Sequence, residues 1–187
     1  MCLLLAMFSF SLVCTRLFLS PFACQTLDSY NAIKPTSRAE VLKRLFVFEH
    51  DLPSHMLADV YRMADVYVSA SMAEGFNLPV LEAMATGLPV IVPDKGPTAE
   101  FVHAPSAVLM PSTIGPMKEY GLDAAVRVEQ FQIYRAMLYA RLNKAKLQTA
   151  AKQKGLRRHV EGKYTWPAIG RRLAAILTDR RHYEQQA

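Results

Sequence analysis

"ADVYVSASMAEGFNLPVLEAMATGLPVIVP", residues 64–93, changes its periodicity twice. It opens with "ADVYVSAS" (64–71), a β-branched and aromatic run of strand length. A polar loop with a glycine follows, and the helix-forming segment from Leu78 runs to Gly87, which ends the helical pattern. "LPVIVP" (88–93) is again an apolar run of strand length. Strand, loop, helix and strand in this order predict parallel strands joined by a right-handed crossover, the repeating unit of doubly wound α/β sheets.

Two glutamates stand inside that unit, Glu74 just before Gly75 and Glu82 in or just after the first turn of the helix. In open α/β sheets ligands sit beyond the carboxyl ends of the strands, and the loop 71–77 leaves such an end. Gly75 permits a tight turn or a close backbone approach. Asn77 is an N-cap candidate and Pro79 suits the first helical turn. The helix start offers free N–H groups and a partial positive charge, for which a phosphate is the natural guest. A carboxylate at Glu82 can accept hydrogen bonds from a vicinal diol such as that of a ribose, and Glu74 would face whatever lies beyond the phosphates. A glutamate near a helix start is also favoured by the dipole alone, and Glu74 reads equally well as a solvated loop residue. The spacing leaves both readings open.

Outward from this unit, "LFVFEH" (45–50) and "SAVLMP" (106–111) are further strand candidates. Helical spacing appears within 51–63, at 96–102, across 122–148 and over roughly 166–183. In the last of these Thr165 can cap, Pro167 fits the first turn, and Trp166 is expected to pack beneath the helix. About four strands result, so the fold class is α/β: an incomplete doubly wound parallel sheet, Rossmann-like, with C-terminal helices. Residues 45–187 form its body, and 27–44, which include "DSYNAIKPTSR", read as a linker.

Residues 1–26 are apolar except for Arg16, with an unbroken run from Cys2 to Cys14 that is short for a membrane span. No Lys or Arg precedes that run. A cleaved signal, a marginal anchor and a start outside the working fold compete, and the segment is expected to pack poorly against the body.

Of the 187 residues 51% are hydrophobic, which is ample for a core and excludes a disordered composition. Residues 118–187 carry 15 Lys and Arg against 6 Asp and Glu, whereas residues 1–117 carry 7 against 10. The basic excess therefore belongs to the C-terminal helices, as a solvated face or a surface for phosphates, acidic lipid headgroups or nucleic acid. All three cysteines precede residue 25, so the body has no disulfide framework or thiolate metal site. His50, His55, His103, His159 and His182 share no ligand spacing, and no metal ligands are expected. "KQKGLRRH" (152–159) reads as a solvated helix end.

The ordered string "ADVYVSASMAEGFNLPVLEAMATGLPVIVPDKGPTAEFV" (64–102) closely resembles the donor-site signature of retaining glycosyltransferases of the GT-B fold, family 4 (glycosyl transferases group 1). The carried features are Glu74, seven residues and Glu82 (the EX7E motif), then "EAMATGLPVI" and "KGPTAE" ending in Glu100. "LFVFEHDLPSHMLADVYRMADVYV" (45–68) and "YTWPAIGRRLAAIL" (164–177) resemble the flanking parts of the same family.

The resemblance implies a transferase that moves a sugar from a nucleoside diphosphate sugar with retention, and a chain that supplies the C-terminal donor-binding part. Glu74, the catalytic candidate, would contact hydroxyls of the transferred sugar. Gly75 and the backbone N–H groups of Phe76, Asn77 and Leu78 would line sugar and diphosphate, and Glu82 would hold the ribose. Glu49 and His50 would lie by the base. No cofactor beyond the nucleotide sugar is implied. The partners are that donor, an acceptor the sequence does not specify, and a membrane surface met peripherally by the basic helices; nucleic acid is not expected. The location would be cytoplasmic or peripheral to a membrane, with a signal or anchor left open by residues 1–26.

The departures are an absent acceptor domain and absent diphosphate-neutralising Arg and Lys, since neither Arg38 nor Lys43 falls in a match. Whether the chain is an enzyme by itself is therefore open. The alternative is a non-catalytic nucleotide-sugar-binding remnant, a fragment or truncated gene product.

Overall fold

A computed structural model describes residues 4–8, 15–19, 45–47, 52–102, 106–118, 121–153 and 155–178. Its sheet is built from β1 (Leu4–Phe8), β2 (Thr15–Leu19), β3 (Leu45–Val47), β4 (Val66–Val68), β5 (Val90–Pro93) and β6 (Ala107–Met110), in the spatial order β3-β2-β1-β4-β5-β6. β4, β5 and β6 run parallel, as do β2 and β3, while β1 is antiparallel to both of its neighbours.

Around the sheet lie α1 (Ser54–Met63), α2 (Leu78–Ala85), α3 (Pro97–Phe101), α4 (Gln130–Leu142), α5 (Lys144–Gln153), α6 (Leu156–Lys163) and α7 (Trp166–Thr178). The period-2 alternation of β4 and β5 sends their side chains to two separate cores. Tyr67, Val90 and Val92 pack with α1, α2, α3 and α6, through Tyr61, Met84, Phe101 and Val160 among others. Val66, Val68 and Ile91 pack on the opposite face with Met110 and with Ala136, Ala140 and Leu147 of α4 and α5. Continuous apolar strands and helices on both faces are what a doubly wound sheet requires. The expected fold class is the observed one.

α2 is apolar nearly all round because it lies within the first core, with Val80, Ala83 and Met84 fully buried. It stops where Gly87, at φ +81°, lets its N–H reach the Met84 carbonyl (2.9 Å) and the Leu88 N–H reach that of Ala83 (3.1 Å). That is a Schellman closure, and it turns the chain directly into β5.

Four expectations are corrected. Residues 4–8 and 15–19 do not stand apart from the sheet: β1 lies between β2 and β4, with Leu4, Leu5 and Ala6 opposite Val68, Tyr67 and Val66. Without it β4 would present a bare edge of unpaired backbone groups. Second, 122–148 is not helical throughout. β8 (Leu122–Arg127) pairs antiparallel with β7 (Thr113–Met117) as a separate two-stranded sheet, and the helices begin at Gln130 and restart after Asn143. Pairing overrides the helix propensity of Ala124 and Ala125. Third, "KQKGLRRH" is not simply a solvated end, because Leu156 and Val160 of α6 are buried against α2. Fourth, Trp166 is 85% exposed, and of α7 only Ala168 is buried. The Thr165 hydroxyl donates back to the Glu161 carbonyl (3.0 Å) rather than capping α7. The linker stretch 28–38, Glu49 and His50 lie outside the described residues.

Candidate functional site

The loop between β4 and α2 leaves the carboxyl end of β4, beside the carboxyl ends of β5 and β6. Its anchor is Asn77, which is buried and has a left-handed backbone at φ 67°, ψ 60°. Asn tolerates this region better than other residues with a Cβ. Asn77 stands at the N-cap position of α2, but its side chain makes no capping bond. Its Nδ2 donates instead to Ser69 Oγ (3.0 Å) at the end of β4 and to Thr98 Oγ1 (3.2 Å) on α3. One amide thus ties the starts of two helices to the end of a strand. The sequence reading missed Ser69 and Thr98. A serine closing the apolar run "VYVS" was the signal for the first, and only the fold brings Thr98 near.

Gly75 does not take a positive φ; the demanding position is Asn77. A Cβ at Gly75 would meet nothing within 4 Å, so the space beside it is open. Among the described residues no carbonyl or side chain accepts from the backbone N–H groups of Gly75, Phe76 and Leu78. These amides point from a loop and a helix start, where a positive potential accumulates. Glu74 is half-buried in the loop, and Glu82 is exposed in the second turn of α2. Tyr61 of α1, itself buried, donates its hydroxyl to Glu82 Oε2 at 3.0 Å. Burial, and then the Glu82 carboxylate, push the Tyr61 hydroxyl far above its ordinary pKa, so it remains a donor.

Two further elements brace the loop. The Phe76 ring stacks on Phe101 (4.8 Å, 20°), and Tyr164 at the end of α6 leans on both rings at 6.0 Å. From the hairpin, Val126 N–H donates to the Met72 carbonyl at 2.7 Å. The hairpin is placed by Asp94 Oδ1, which accepts from the Ser112 N–H (2.9 Å) and hydroxyl (2.6 Å), while Lys95 Nζ donates to the Ser112 carbonyl (2.6 Å). Among the described residues no group of three or more His, Cys, Asp or Glu is arranged to hold a metal ion. No helix among them is long and apolar enough to cross a membrane.

An α/β sheet with helices on both faces is the fold this chain shares with solved GT-B glycosyltransferases. The chain superposes on sucrose-phosphate synthase from Thermosynechococcus elongatus with a TM-score of 0.60 and 22% identity, covering 89% of this chain and 35% of that one. It superposes on the pneumococcal O-GlcNAc transferase GtfA, solved in complex with UDP and GlcNAc, with a TM-score of 0.56 and 20% identity, covering 88% and 29%. Residues 30–115 match the family model of the glycosyl transferases group 1. It is 47% identical over 58 residues to the lipopolysaccharide core biosynthesis mannosyltransferase LpsB of Rhizobium meliloti (strain 1021). That match takes 31% of this chain and 15% of the relative, so the chain spans only a minor part of the proteins it matches.

Proposed function

We propose that this chain forms the donor-holding part of a retaining glycosyltransferase and takes a nucleoside diphosphate sugar. The observation that carries the reading is the loop locked by Asn77. Its amides at Gly75, Phe76 and Leu78 have no acceptor among the described residues, and a carboxylate stands on either side. Unpaired amides at a helix start suit a diphosphate. Glu82 suits the ribose diol and Glu74 the hydroxyls of the transferred sugar, whose donor then reacts on one face. The leaving phosphate takes the acceptor's proton, so the reaction uses no metal or cofactor. The complex of GtfA with UDP and GlcNAc supports a nucleotide and a sugar as the guests.

Calorimetry with UDP-, GDP- and ADP-linked sugars tests this. One of them is expected to bind, and Glu82→Ala to weaken it about 10- to 100-fold, the usual cost of losing hydrogen bonds to a charged group. Binding to none of them would sink the reading. Transfer requires donor, acceptor and leaving-group charge in one cleft. The 187-residue chain is therefore expected to bind without transferring. Radiolabelled transfer by the purified chain, lost in Glu74→Ala, would contradict that expectation.

A further inference from the structure

Tyr61 is 1% exposed, and its ring meets Tyr67 of β4 edge-on, with centroids 5.9 Å apart at 67°. A phenylalanine would fill this apolar position as well and bring no polar atom with it. A buried phenolic oxygen needs a partner, and here the partner is Glu82 Oε2 on the neighbouring helix. Glu82 itself is exposed, and a glutamate on a solvated helix face ordinarily samples many rotamers. The Tyr61 bond takes one lone-pair site of Oε2 and leaves Oε1 and the remaining sites for a ligand. A carboxylate ordered before its ligand arrives binds a diol without the ordering cost.

We propose that Tyr61 is a positioning residue that fixes the Glu82 carboxylate for the two hydroxyls of a ribose. This rests on the donor-holding reading of Glu82 given above. Tyr61 itself touches no ligand. Its hydroxyl acts by holding Oε2, and its ring, locked between α1 and β4, transmits the rigidity of the core to an exposed acid.

The test uses the full chain titrated with UDP, GDP and ADP and with their 2′,3′-dideoxy counterparts, so that each variant yields a ratio of ribose to dideoxyribose affinity. Tyr61→Phe is expected to weaken the ribose form about 3- to 10-fold, the usual net range for one hydrogen bond, while leaving the dideoxy form unchanged. In a Glu82→Ala background it should add nothing. Glu82→Asp, which withdraws the carboxylate from Tyr61 by one methylene, should narrow the ratio too, and it serves if Tyr61→Phe does not fold. Equal weakening of both ligands by Tyr61→Phe, or an unchanged ratio, would overturn the proposal while Glu82→Ala still upheld the donor site. Wild-type discrimination in Glu82→Ala, or no binding by any of the diphosphates, would remove the donor-holding reading and this proposal with it.

Discussion

Asn77 shows how one side chain can decide a site it does not itself form. Its left-handed backbone costs a residue with a Cβ about 1–2 kcal/mol, and its amide offsets this through Ser69 and Thr98. The two contributions can be separated. Asn77→Ala loses both bonds and keeps the unfavourable backbone, so it should destabilise by about 2–3 kcal/mol. Asn77→Gly loses the bonds but tolerates φ 67°, so it should cost about 1 kcal/mol less. Urea unfolding of both variants measures the difference, and equal losses would mean that the left-handed geometry carries no strain. The sequence marked Asn77 as an N-cap candidate; it stands at that position, but its side chain bonds Ser69 and Thr98 instead of capping α2. An N-cap rule looks along the chain, whereas Ser69 and Thr98 reach Asn77 only through the sheet. Glu74 and Glu82 stood out as candidates through their spacing and flanking elements. Tyr61 did not, because it lies on another helix and looked like one more apolar position in "MLADVYRM".

At the scale of elements, the hairpin of β7 and β8 buttresses the loop, and the close approach is made at Gly96. That residue sits at φ +86°, and a Cβ there would lie 2.8 Å from Val126 Cγ2. Gly96→Ala therefore meets both a backbone and a steric objection. It is expected to lower stability by about 2–3 kcal/mol. Val126→Ala in the same chain should recover the steric part, while the backbone part remains. Thermal melts of the two single variants and the double variant check this, and strictly additive losses would show that the two residues do not press on each other. The β8 strand was illegible for a reason of the same kind. "LDAAVR" is a fair helical sequence in isolation, and what makes it a strand is its pairing with β7 and the Val126 N–H bond to Met72. By contrast α2, β4 and β5 were legible to within three residues at either end. Their periodicity, the glycine stop and the burial all favour the same structure.

Across the whole molecule, the parallel half β4-β5-β6 follows from the sequence, and of the other half only β3, inside the strand candidate 45–50, does. The apolar run 1–26 was read as standing outside the fold because its unbroken apolar stretch has the length of a signal-peptide core, although no Lys or Arg precedes it. Hydrophobicity alone does not distinguish a segment that leaves the protein from one that enters its sheet. The topology decides: β1 pairs with β4 on one side and β2 on the other, and β2 carries β3 in turn. Removing residues 1–26 would detach β3 from the rest of the sheet. It would also leave β4 as an edge, with Val66, Tyr67 and Val68 at its centre and no charged residue or proline within the strand to block a foreign strand. The truncated chain 27–187 is therefore expected to melt at a lower temperature and with less cooperativity than the full chain. It should also self-associate on size-exclusion chromatography at concentrations where the full chain does not. Because β4 leads straight into the loop of Ser69, Glu74 and Asn77, the truncation should, under the proposed donor-holding function, weaken nucleotide-sugar binding even though it removes no residue of that loop. A truncated chain that stayed monomeric, with the melt and affinity of the full one, would show that β1 and β2 do not support the site.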